Sequence, residues 1–310
     1  MTRQRRRQRA AGWGAALAAL ALCLPLAGCG EPRAPTERSG VITMAPNITA
    51  TVFALGRGDE VVGVTSFCAD PPEVQDLPSV GGYIDPDLER ITRLAPRAIL
   101  LQGRHEKVAE LARRNNIEVV SVPAAVGAGE RGGIAAIYEG LRVIGKAVDA
   151  EEEAEALIAD IEAELDAVRQ AVEGRSRPRV LFINSRTEHS LHTLYTLGGP
   201  SFVTELIAVA GGESIYADAS QPYLDASKET VVRRAPEVIV EYQPAEGLRE
   251  EEEARYKADW NELASVPAVR DGRIYLVKDA FILSPGPRIA DTARLLAGLL
   301  HPGAEIPEGP

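Results

Sequence analysis

The chain has 310 residues, 45% of them hydrophobic, and a formal net charge of −11. The five charges before Cys29 are all arginines (Arg3, Arg5, Arg6, Arg7, Arg9), so the chain from Cys29 onward carries −16. That balance argues against a nucleic-acid binder and against a protein lying flat on anionic lipid.

The arginines form a basic leader, and Ala15 to Leu24 form an apolar run too short to span a bilayer. Leu26-Ala27-Gly28-Cys29 then matches a lipoprotein processing box. The expectation is a signal peptide over 1–28, cleavage, lipidation of Cys29 and a membrane-anchored, extracytoplasmic protein. Residues 29–40, rich in Pro, Ser and charge, read as a flexible tether. Cys23 leaves with the leader and Cys29 carries lipid, so Cys68 remains alone and reads as a buried thiol without a disulfide partner.

The remainder alternates strand and helix signals. Strands are expected at Val41–Met44, Val61–Val64, Ala98–Leu101 and Val119–Val122. A helix capped by Asn47 runs to Gly56, and others cover Glu106–Asn115 and Ile134–Val148. The run from Asp149 to Gly174 carries Leu157, Ile158, Ile161, Leu165, Val168 and Val172 at helical spacing. Asp149 would cap it and Glu152 would complete a capping box, for a helix about 39 Å long at 1.5 Å per residue. Beyond it a strand at Val180–Asn184 leads into a polar loop over Ser185–His192. Then come a helix at Phe202–Ala210, an acidic helix at Arg249–Trp260, a strand at Ile274–Val277 and a last helix to Leu300.

Residues 85–100 and 225–240 are related at an offset of 140, with 6 of 16 positions identical: Asp85/Asp225, Glu89/Glu229, Arg93/Arg233, Ala95/Ala235, Pro96/Pro236 and Ile99/Ile239. Each copy has an N-cap (Asp87 or Ser227), a short helix, a proline and an apolar strand. The fold expected is α/β, with two similar lobes of mainly parallel sheet, residues 41–148 and 178–301, joined by one long rigid helix over 149–174.

Catalytic and metal motifs fail on inspection. Gly56-Arg57-Gly58 ends a helix instead of opening one, and Val61 stands where a dinucleotide loop needs its third glycine. Gly199-Pro200-Ser201-Phe202-Val203 lacks the second glycine of a nucleophile elbow. His189 and His192 supply two ligands where zinc needs more. No resident metal or cofactor and no enzyme activity are expected.

An ordered set of segments then carries a resemblance. It comprises Ala45-Pro46-Asn47 with Phe53-Ala54-Leu55-Gly56, Cys68-Ala69-Asp70-Pro71-Pro72-Glu73, and Leu77-Pro78-Ser79-Val80-Gly81-Gly82. Asp87-Leu88-Glu89-Arg90-Ile91 with Ala95-Pro96, then Tyr195-Thr196 with Gly198-Gly199-Pro200-Ser201-Phe202, and Gly211-Gly212-Glu213 follow. Ser227-Lys228-Glu229 with Ala235-Pro236, Pro267 to Arg273, and Pro285-Gly286-Pro287-Arg288 complete it. In these the chain resembles the two-lobed substrate-binding lipoproteins of ABC importers for vitamin B12 and iron chelates. It departs at Ala50, where the family often has Glu, and in a Ser185–His192 loop that looks longer than usual.

The resemblance implies a monomer that carries a large ligand between its lobes to a permease dimer with ATPase subunits. A corrinoid is the ligand expected, with haem or a ferric siderophore as the alternative; a secreted α/β enzyme is the remote one. Cleft candidates are Tyr83, Arg104 and His105 in the first lobe, and Arg186, His189, Tyr195, Tyr242 and Phe281 in the second. Arg288 reads as a residue that stabilises a turn or helix start and stays off the ligand. The resemblance also makes Glu89 and Glu229 the docking acids for the permease.

Overall fold

The computed structural model describes residues 39–126, 132–243 and 249–309. Cys29, the leader and all but the last two residues of the tether lie outside the described residues.

In the first lobe the strands β1 (Val41–Thr43), β2 (Val61–Val64), β3 (Ala98–Gln102) and β4 (Glu118–Val122) form a parallel sheet in the order β2-β1-β3-β4. Ala98, Ile99, Leu100 and Leu101 of β3 are all buried, because helices cover both faces of the sheet. Ile48 and Val52 of α1 (Pro46–Ala54) pack on one face. Ile91 of α2 (Leu88–Leu94) and Val108 of α3 (Glu106–Arg114) pack on the other.

The second lobe repeats this plan and adds to it. Its strands are β5 (Arg179–Arg186), β6 (Leu194–Leu197), β7 (Glu213–Ser214), β8 (Tyr223–Asp225), β9 (Val238–Tyr242) and β10 (Ile274–Val277). Strands β7, β5, β9 and β10 pair in parallel in that order, matching β2-β1-β3-β4. Strands β6 and β8 extend the sheet from β5 by antiparallel pairing, so this sheet is mixed. The expected strand at Val180–Asn184 runs on through Ser185 and Arg186, and the polar loop shortens accordingly. Helices α6 (Phe202–Val209), α7 (Lys228–Arg234), α8 (Glu250–Asp259), α9 (Pro267–Arg270) and α10 (Ile289–Leu300) complete the lobe.

The two copies of the repeat fold alike. Asp87 accepts the Arg90 amide at 2.9 Å and Ser227 accepts the Thr230 amide at 3.2 Å, each capping its helix. Ala95 and Ala235 end α2 and α7 in the left-handed region, at φ 47° and 44°, just before Pro96 and Pro236. The proline ring disfavours the helical conformation for the residue before it, so both helices stop at the same place.

The long helix expected between the lobes is α5 (Glu151–Ala171), and the helix expected before it, α4 (Ile134–Ala147), packs along it. At 21 residues α5 is about 32 Å long. Neither expected cap forms: Asp149 takes φ 49°, Ala150 is the N-cap, and no side chain caps that end. Ala154 buries against the first lobe, whereas Ile158, Ile161, Leu165, Val168 and Val172 join the second. Helix α4 divides likewise, Ile144 to the first core and Ile134, Ile137 and Leu141 to the second. A Cβ on Gly145 would lie 2.7 Å from Ala154 Cβ, so glycine is what lets the two helices cross closely. The carbonyls at the end of α4 are satisfied from the first lobe, Ala147 by Arg97 at 2.8 Å and Val148 by Arg57 at 3.3 Å.

Candidate functional site

Asn47 does not cap α1, as its sequence position suggested. Pro46 takes the first helical position and Asn47 Nδ2 donates to the Pro285 carbonyl at 3.1 Å, a bond from the first lobe to the second. Beside that bond lies a cavity of about 550 Å³. One wall comes from the first lobe: the start of α1 with Ala50, the loop holding Phe67 and Asp70, and Gln102 at the end of β3. The other comes from the second lobe, Asp279 to Phe281 after β10 and the Leu283–Arg288 segment before α10. Loops at the C-terminal ends of parallel strands are where open α/β sheets place ligands.

The lining is mainly apolar. Phe67 is 72% exposed and faces water instead of a core. Phe281, on the second-lobe wall, carries the Arg288 guanidinium over its ring at 4.6 Å. Arg288 Nε donates to Asp291 at 2.8 Å, and Nη1 reaches Asp70 of the first lobe at 3.5 Å. Bonding to Asp291, and then the charge of Asp70, hold this guanidinium above its ordinary pKa. Burial pushes the Asp291 carboxyl up, but hydrogen bonds from Arg288 and Arg294 outweigh it and leave it below the usual range. Arg288 therefore braces the start of α10, as its position implied, and in addition lines the cavity.

Of the residues singled out in the sequence as cleft candidates, Phe281 lines this cavity. Tyr83 stands behind it: its ring packs on the first-lobe core, edge-on to His105 at 5.4 Å, and its hydroxyl donates to the Gln102 carbonyl at 2.5 Å. His105 caps α3, accepting the Val108 amide at 3.3 Å, and Arg104 is exposed in the loop before it. Tyr195 lies on β6 in register with Asp225. Tyr242 ends β9 half-buried on the second-lobe core, and burial pushes its phenol up.

Arg186 is a clear correction. Its side chain is fully buried and pairs with Glu241 at 2.6 Å and Asp259 at 2.9 Å, stacked on Tyr256 at 4.8 Å. Because β5 continues two residues further than expected, Arg186 is drawn into the lobe instead of a loop. His189 sits over the same cluster, 3.4 Å from Asp259 and 4.8 Å from the Tyr256 ring. Glu241 itself accepts from Trp260 Nε1 at 2.9 Å and from Gln243 at 2.5 Å.

Residues missed by sequence reasoning include Asn47, Phe67, Asp70, Gln102 and Asp279. A signal existed for two of them. Phe67 and Asp70 flank Cys68-Ala69 in a loop closed by two prolines, and a large aromatic there has no core to enter. Glu89 and Glu229 are both exposed on α2 and α7. Glu89 pairs with Arg93 at 2.6 Å. The backbone amide of Glu229, and then the Ser227 hydroxyl, hold its carboxyl below the usual range.

Comparison with known proteins agrees with this architecture. The family model described as periplasmic binding protein matches residues 41–280. A vitamin B12-binding protein of Pectobacterium carotovorum is 25% identical over 263 residues, 84% of this chain and 87% of that one. An uncharacterized ABC transporter substrate-binding lipoprotein of Bacillus subtilis is 25% identical over 274 residues, 86% of this chain and 81% of that one. The apo structure of a periplasmic heme-binding protein from Roseiflexus sp. RS-1 superposes with a TM-score of 0.67 at 25% identity, covering 85% of this chain and all of the other.

Proposed function

The chain belongs to the periplasmic binding protein family, and from that premise we propose that it is the substrate-binding component of an ABC importer whose interlobe cavity takes a corrinoid. The family is extracytoplasmic and carries ligands without turning them over, so no catalytic residue is assigned. The B12-binding relative and the substrate-binding lipoprotein both support the importer reading.

The chemistry of the cavity lining carries the choice of ligand. Haem takes an axial ligand such as Tyr or His on its iron, and among the described residues none that lines the cavity is either. A ferric siderophore of the catecholate type is an anion and needs clustered Arg or Lys. The lining offers Arg288, already shared by Asp70 and Asp291, beside Asp279. What remains is Phe67, Phe281 and small residues with a few polar atoms, a surface suited to a bulky and nearly neutral corrin ring. Titration of the protein with cyanocobalamin, haemin and a ferric siderophore, followed by calorimetry and absorbance, tests the reading. Stoichiometric cobalamin binding is expected. Haemin binding with an axial-ligand spectrum, and no cobalamin binding, would reverse it.

Two further parts of the reading rest on the sequence. Cys29 is the lipid attachment point. Glu89 and Glu229 are the contacts to the permease dimer, supported by their equivalent, exposed positions on two helices of one repeat.

A further inference from the structure

The charged residues of the cavity wall form an unbalanced set. Among the described residues that line it, Asp70 comes from the first lobe, and Asp279 and Arg288 from the second. Arg288 is committed on three sides: its Nε to Asp291, its Nη1 toward Asp70, and its flat face to Phe281. Asp291 is held by Arg294 as well. One arginine thus answers carboxylates from both lobes, and Asp279 adds a further negative charge.

We propose that Asp70 is a specificity determinant of this site, one that excludes anionic chelates by occupying Arg288 from across the cleft. The proposal deepens the corrinoid reading and rests on the same cavity. Arg288 on the Phe281 ring would otherwise be an anion receptor: a planar cation with open donors beside an aromatic wall. Asp291 alone does not close it, because that carboxylate approaches Nε and leaves the Nη1 side toward the first lobe, where Asp70 sits. A neutral ligand loses little to this arrangement. An anion meets a neutralised arginine and the charges of Asp70 and Asp279. Rejection by charge placed against the wrong ligand is a recognised route to specificity.

Asp70 is also a contact between lobes, so its removal could loosen closure for every ligand. The Asn47–Pro285 bond at 3.1 Å is independent of it and keeps the two effects separable. The test compares wild type, Asp70→Asn and, as a control, Asp59→Asn, which is exposed outside the cavity lining. Each is titrated with cyanocobalamin, a neutral probe, and with a ferric tris-catecholate, a trianion, at low and high salt. In Asp70→Asn the trianion should bind at least about fivefold tighter at low salt, with the gain shrinking as salt screens the exposed charges. The ratio of trianion to cyanocobalamin affinity should therefore rise at least about fivefold at low salt, and Asp59→Asn should leave that ratio unchanged. An unchanged trianion affinity, a gain that persists at high salt, or an equal change for both ligands would overturn the proposal. If wild type fails to bind cyanocobalamin, the ligand reading falls, yet the trianion arm and its salt dependence still decide the role of Asp70.

Discussion

Replacing Arg186 by methionine should cost stability and spare ligand binding. Both Arg186 and Glu241 side chains are fully buried, and their bond is 2.6 Å. Removing the cation leaves Glu241 buried with only the Trp260 and Gln243 donors, and leaves Asp259 beside it without its guanidinium partner. Breaking a fully buried pair from one side costs about 3–5 kcal/mol. An exposed pair such as Arg93–Glu89, with side chains 65% and 84% exposed, is worth under about 1 kcal/mol. At about 2–4 °C per kcal/mol for a chain of this size class, Arg186→Met should lower Tm by roughly 6–20 °C. Adding Glu241→Gln should restore part of the loss, since the stranded charge is then gone. Thermal and urea unfolding of the two single variants and the double variant measure this, with ligand titration alongside. A Tm within about 2 °C of wild type together with a large loss of ligand affinity would refute the reasoning and return Arg186 to the ligand site.

Phe281→Ala should weaken ligand binding about tenfold or more, as expected for an aromatic wall of the cavity. Tyr83→Phe should cost about 0.5–1.5 kcal/mol of stability for its bond to Gln102 and leave the affinity within twofold; a larger affinity loss would put Tyr83 in the site. Glu89→Ala with Glu229→Ala should leave ligand titrations and melting nearly unchanged while permease ATPase stimulation falls sharply, and normal uptake at limiting ligand would end the docking role. His301, buried with Nε2 at 3.0 Å from the Ala210 carbonyl, has its pKa lowered chiefly by burial. Its contribution is therefore full above the unfolded value near 6.5 and is lost as pH falls below it, so the acid-side drop in Tm should shrink in His301→Gln. Cys29→Ala should abolish lipid labelling and release the protein from membranes; unchanged labelling would disprove lipidation there.

The repeat at an offset of 140 was enough, without coordinates, to place two α/β lobes, because capping, the stop before proline and an apolar strand are all local chemistry. Asp87 with Ser227, and Ala95 with Ala235, behave as that chemistry requires. Signals that depend on a partner distant in the chain were not legible. Asn47 reads as a cap until Pro285, 238 residues on, takes its amide. Arg186 reads as a loop cation until β5 runs on and Glu241 and Asp259 close around it. Strands β6 and β8, at four and three residues, are too short to carry a period, and only pairing, of β6 to β5 and of β8 to β6, defines them. The same holds for the cavity. Its residue types are visible in the sequence, but two walls contributed by segments more than 170 residues apart become one site only when α4 and α5 set the lobes face to face.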